Sequence, residues 1–181
     1  MTNTPPSRIF LDTSVLQTIH DYGAFVFEGE PIPSGDRIHK IPEGREQLEA
    51  LQRLFQIVDR GPFEFALSEG SLKEVDAKRD SAFLRWAHDV LDHWSVCAEE
   101  NGLPEIPQEI LTACDSPTLN FISSADRILI RDAVMLGCDS FLTMERRLPK
   151  NASHIQKVLG LRVDRPSWLW EQWKPFAGLY R

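Results

Sequence analysis

The sequence predicts an α/β fold, a three-layer α/β/α sandwich around a central, mainly parallel sheet. Two observations carry this. Short apolar runs of strand length alternate with stretches whose apolar residues recur every three to four positions, and strand–helix–strand order implies right-handed crossovers with helices on both sheet faces. The chain of 181 residues holds no internal repeat, low-complexity tract or inter-domain linker, so 1–181 reads as one domain with its core over residues 8–169.

Residues 8–11, Arg-Ile-Phe-Leu, are predicted as a buried strand, and Asp12, Thr13 and Ser14 follow as helix-start residues before Val15, Leu16 and Ile19. Residues 22–42 contain Gly23, Gly29, Pro31, Pro33, Gly35 and Pro42, too much punctuation for regular structure, and read as a long loop. Leu48, Leu51, Leu54, Phe55 and Val58 mark an amphipathic helix over 43–59, ended by Gly61-Pro62. Phe63, Phe65 and Leu67 alternate with Glu64 and Ala66 as a second strand, and Ser68 and Ser71 lead into a helix at 71–78. Ala82, Trp86, Val90 and Trp94 give a helix over 80–95, broken by Gly102, Pro104 and Pro107, after which 107–114 reads as a short helix. Ser123 opens the most regular helix, stopped by Gly137; strands at 139–142 and 161–163 then flank a helix at 151–159. Residues 166–181 form a Trp-rich tail, in which Trp168, Trp170 and Trp173 read as packing a core edge or subunit interface rather than stacking bases.

Twenty basic against 27 acidic residues leave a net charge of −7, so no global cation excess draws polyanions to the chain. A nucleic-acid partner would have to be met by a local patch or by bound metal. Cys97, Cys114 and Cys138 are odd in number and far apart, which argues against a disulfide framework and a cysteine zinc site. The histidines are too scattered for a metal or triad site, and Ser68-Glu69-Gly70-Ser71 is no phosphate-binding P-loop. Without a basic-then-apolar leader, or the roughly 18 apolar residues of a membrane span, the chain is expected in the cytoplasm, off the membrane.

In open α/β sheets, ligands bind beyond the carboxyl ends of the strands, where helix N-termini also point. Four acids are predicted to converge there: Asp12 after the first strand, Glu74 near the start of the helix after the second, Asp126 in the first turn of the long helix, and Glu145 after Phe141-Leu142-Thr143. Each also fits a structural role: Asp12 as a helix cap, Ser71-x-x-Glu74 and Ser123-x-x-Asp126 as capping boxes, Glu145 as a first-turn acid. Asp126 shares a helix side with Ile130, Ala133 and Gly137 that reads as buried, whereas Asp132, about 240° round, reads as a surface charge. Clustered carboxylates repel and take up protons unless a cation neutralises them, and an oxygen-only donor set suits Mg²⁺ or Mn²⁺ rather than zinc. Such an ion turns bound water into hydroxide and stabilises charge on a phosphodiester, so the cluster points to hydrolytic phosphodiester chemistry.

At these residues the sequence resembles the PIN domain family. The strand running into Asp12-Thr13-Ser14-Val15-Leu16 is similar to its opening motif, and Leu72-Lys73-Glu74-Val75 to the segment with its second acid. Asp126-x6-Ala133-x3-Gly137-x3-Phe141-Leu142-Thr143-x-Glu145 is similar to its third and fourth acids with the helix and strand between them. The resemblance covers most of residues 8–169 and implies a Mg²⁺- or Mn²⁺-dependent ribonuclease on a small parallel sheet, as in bacterial toxins and RNA-processing factors. It implies that Asp12, Glu74 and Asp126 ligate the principal ion and that Glu145 supports it or a second one; Thr13, Ser14 and Thr143 are candidates to orient water or phosphate, with helix capping as the equal alternative. Arg127, Arg131, Arg146, Arg147 and Lys150, close in sequence to two of the acids, are candidates for contact with the substrate backbone, against a plain solvated-surface reading. RNA is the implied substrate, with a homodimeric second copy and a protein inhibitor or antitoxin as further partners. Glu145 stands where the family has Asp, and the 22–42 loop is longer than in compact toxin members. With the acidic net charge, these features leave open a catalytically silent PIN-like module that binds RNA or protein. The same carboxylate cage also serves a DNA nuclease.

Overall fold

The computed structural model describes residues 4–58, 60–71, 73, 82–89 and 102–180. Strands β1 (Arg8–Leu11), β2 (Glu64–Ala66), β3 (Ser140–Leu142) and β4 (Arg162–Asp164) form one parallel sheet in the order β2-β1-β3-β4. Ile9 lies opposite Phe65 on one side and Ser140 on the other, and Phe141 opposite Val163. Helices α1 (Thr13–Asp21), α2 (Gly44–Val58), α3 (Gln108–Cys114), α4 (Ser124–Met135), α5 (Ala152–Leu159) and α6 (Pro166–Trp173) surround it, with a further helical stretch at 82–89. The α/β class and parallel sheet agree with the sequence reading.

All residues of β1 and β3 are buried, as expected for parallel strands covered on both faces. Successive side chains point to opposite faces, and this splits the core in two. Ile9, Leu11 and Leu142 join Val15, Leu16 and Ile19 of α1, Leu48, Leu51 and Leu54 of α2, Phe83 and Ala87, and Leu169, Trp170 and Trp173 of α6. Phe10 and Phe141, stacked at 5.4 Å, join Leu129, Ile130 and Ala133 of α4 and Ile155 and Leu159 of α5. Gly137, at φ 68°, ends α4 where the sequence placed its stop.

Two segments differ from expectation. Residues 22–42 are not one loop: a π-helical turn at Ala24–Glu28 and a 3-10 turn at Arg37–Lys40 flank an irregular stretch. Val26 and Ile38 bury themselves in the α1–α2 cluster, an anchoring that a glycine and proline count does not register. The tail contains α6 and a 3-10 turn at Ala177–Leu179. Pro166 fits the first turn of α6, and Leu169, Trp170 and Trp173 share its buried face, while Trp168 is 47% exposed. The helix expected at 71–78 and the ends of that at 80–95 lie largely outside the described residues. Among the described residues, no helix is long and apolar enough to cross a membrane.

Candidate active site

The chain runs from β1 to β2 on one side and returns to β3 on the other, so strand order reverses between β1 and β3. A crevice at such a reversal, past the carboxyl ends, is where open α/β sheets take ligands. Asp12 ends β1, and its N–H donates to the Leu142 carbonyl of β3 at 3.0 Å.

Asp12 occupies the N-cap position of α1 with extended backbone, yet its side chain makes no capping hydrogen bond. Instead Oδ2 accepts the Ser14 hydroxyl at 2.5 Å and the Thr143 hydroxyl at 2.6 Å. Thr143 Oγ1 accepts the Glu145 N–H at 3.0 Å, and Ser14 Oγ accepts the Met144 N–H at 3.1 Å. The residues after β3 are thereby tied to the start of α1. Asp12 is 7% exposed, and burial pushes its carboxyl above the usual range; the Ser14 and Thr143 hydroxyls oppose this, and the charge of Asp126 adds to it. Thr13 Oγ1 is also buried, without a hydrogen-bond partner among the described residues.

For Asp126 the capping role holds. Its N–H donates to Ser123 Oγ at 3.1 Å, and that hydroxyl donates back to Oδ2 at 2.7 Å. The side chain nevertheless borders a cleft of about 370 Å³ shared with Glu145, Arg147 and Asn151. Glu145 is exposed and stands before the 3-10 turn Leu148–Asn151, not in a helix. The structure therefore draws Asp12 and Asp126 within electrostatic range and sets Glu145 beside Asp126. Glu74 lies outside the described residues.

The candidate cations divide. Arg147 lines the same cleft as Asp126 and Glu145, whereas Arg146 lines a neighbouring one with Ser14 and Met144. Arg127 donates to Asn120 at 3.1 Å, Arg131 pairs with Asp115 at 3.4 Å, and the exposed Lys150 lines neither cleft. Asp132 is not a solvated charge: it is half-buried and accepts the Ser68 hydroxyl at 2.5 Å. Helical phase alone did not reveal that the segment after β2 packs against that side of α4. Sequence reasoning also passed over Arg165, the first residue past β4, buried and ion-paired with Glu43. The rule that picked out Asp12, a polar residue just beyond a buried strand, applies to it equally.

These donors suit a hard cation in kind. Asp12 and Asp126 offer only oxygens, and their mutual repulsion is what a divalent ion would relieve. Among the described residues no three metal-ligating side chains converge, but Mg²⁺ characteristically binds through one or two carboxylates and keeps several waters. Comparison of the chain with protein-family models, curated proteins and solved structures finds no match.

Proposed function

We propose that the chain is a PIN-like, Mg²⁺- or Mn²⁺-dependent nuclease that hydrolyses RNA phosphodiester bonds. The observation that carries this reading is Asp12: a buried carboxylate at the β1–β3 reversal, held by the hydroxyls of Ser14 in α1 and Thr143 past β3 rather than by a capping hydrogen bond, and in the field of Asp126. Asp12 and Asp126, with Glu74 as the family resemblance implies, would hold the ion, and Glu145 would support it. When bound, the ion supplies a hydroxide nucleophile near neutral pH and stabilises charge developing on the phosphate. Ser14 and Thr143 fix the Asp12 carboxylate in one orientation and favour its ionised form by donating to it. Arg147, beside Asp126 and Glu145, attracts the substrate backbone to the cleft.

A binding module without catalysis is favoured by one observation, the engagement of the Asp126 carboxylate with Ser123. Mn²⁺ titration separates the two. The nuclease reading expects thermal stabilisation by Mn²⁺, amounting to about 2.7 kcal/mol at a hundredfold excess over Kd. It expects cleavage of single-stranded RNA, lost by roughly 100-fold or more in Asp12→Asn and Asp126→Asn with the fold intact. DNA run alongside decides the polymer. Neither stabilisation nor cleavage of RNA or DNA across a metal series would hand the chain to the binding reading.

A further inference from the structure

The cleft beside the acidic one has the opposite character. Along the segment after β3, Glu145 and Arg147 face the acidic cleft, while Met144 and Arg146 face the other, also about 370 Å³. Ser14 lines the second cleft and donates to Asp12, which lies in the field of Asp126 on the first. The charged residues on this second wall are Arg37, Arg146 and Arg165 against Asp21 alone, a local cationic pocket in a chain of net charge −7. Two of these arginines are engaged: Arg37 pairs with Asp21, and Arg165 with Glu43. Arg146 is exposed and has no ion-pair partner among the described residues. Tyr22, Ile38, Ile41 and Met144 supply the apolar part of the same lining. The Tyr22 ring is held in place by its hydroxyl, which donates to Asp36 at 2.7 Å.

Apolar and aromatic residues beside an exposed guanidinium, in the field of Glu43 but without an ion pair among the described residues, have the chemistry of a site for a base and its phosphate. The volume lies near the lower end of the roughly 300–1,000 Å³ of small-ligand pockets, the scale of a single nucleotide. We infer that this cleft takes one nucleotide of the substrate strand, flanking the scissile phosphate, with its base against Tyr22 and Met144 and its phosphate on Arg146. The inference rests on the nuclease reading for its place in catalysis, but nucleotide binding is measurable without metal or cleavage.

The full chain, free of divalent metal, is titrated by calorimetry or NMR with uridine and adenosine 5′-monophosphates, inorganic phosphate and uridine. The monophosphates are expected to bind about tenfold or more tighter than phosphate or uridine alone. Arg146→Glu and Ile41→Asp, both at exposed positions, should each weaken monophosphate binding about tenfold or more with Tm unchanged, and Arg146→Lys should restore part of it. With Mn²⁺ present, Arg146→Glu should raise KM for an oligoribonucleotide more than it lowers kcat. No monophosphate binding, equal binding by parent and Arg146→Glu, or inorganic phosphate binding as tightly as the monophosphates would overturn the inference. None of these results touches Mn²⁺-dependent cleavage, whose absence overturns the nuclease reading instead.

Discussion

Thr143 reaches across 131 positions of sequence to donate its hydroxyl to Asp12 Oδ2 at 2.6 Å, and Thr143 Oγ1 in turn accepts the Glu145 N–H at 3.0 Å. A hydroxyl suits that double role because it carries one proton and two lone pairs. Fully buried, it sets the carboxylate at the end of β1 and the path of the chain leaving β3 with one atom.

Thr143→Val keeps the shape and removes the hydroxyl, leaving a buried carboxylate short of a donor and the Glu145 N–H short of an acceptor. The expected cost is about 1–3 kcal/mol, read from denaturant midpoints, with Thr143→Ser recovering most of it. A Thr143→Val protein as stable as the parent would show that the network contributes nothing to folding.

The raised carboxyl of Asp12 sets a pH dependence of definite sign. Between its ordinary value of 3.8 and its higher folded value, the native state binds more protons than the unfolded chain, so stability falls as pH rises. The stability lent by protonation is fully present below 3.8 and is lost as pH passes the folded pKa. Tm followed against pH in metal-free buffer should show this decline, and Asp12→Asn should flatten it. On the metal reading, saturating Mn²⁺ flattens it too, because it holds the carboxylate ionised.

Asp139 titrates in the opposite sense. Partial burial works against its charged form, but the Ser7 hydroxyl at 2.6 Å, the Arg8 N–H at 3.0 Å and the Ser7 N–H at 2.7 Å outweigh it and hold the carboxyl below 3.8. Its stabilisation is complete above 3.8 and fades as pH falls through the folded pKa. Asp139→Asn should cost about 1 kcal/mol at neutral pH and remove that part of the acid limb, as measured by urea unfolding at stepped pH.

Gly137 combines a left-handed backbone at φ 68° with a Cβ direction that runs into the Pro104 ring. Gly137→Ala should destabilise by about 1–3 kcal/mol, lowering Tm by about 2–4 °C per kcal/mol in a chain of this size.

What the sequence disclosed, it disclosed through continuous apolar runs and helix-start polar residues. Arg8–Leu11 running into Asp12 marked both a strand and the acid at its end, because a buried parallel strand is apolar throughout and the first polar residue after it stands at the sheet's edge. The rest depended on partners that local pattern cannot name. Val26 and Ile38 order the flanks of the 22–42 stretch by joining the buried cluster with α1 and α2. Asp132 is claimed by Ser68, 64 positions away. Asp12 is a helix cap by position but not by bonding, because Thr143 competes for its oxygen, and that competition exists only once β1 and β3 are paired.

The alternation of residues 144–147 between the two clefts makes spacing the quantity that this connection has to preserve. Deleting Met144 would carry Arg146 to the carboxylate side and Glu145 to the guanidinium side, cancelling the negative excess of the first hollow and reducing the positive excess of the second while leaving the amino-acid content almost unchanged. Conservative exchanges within the segment are therefore the milder lesion, and a frame slip of a single peptide the graver one.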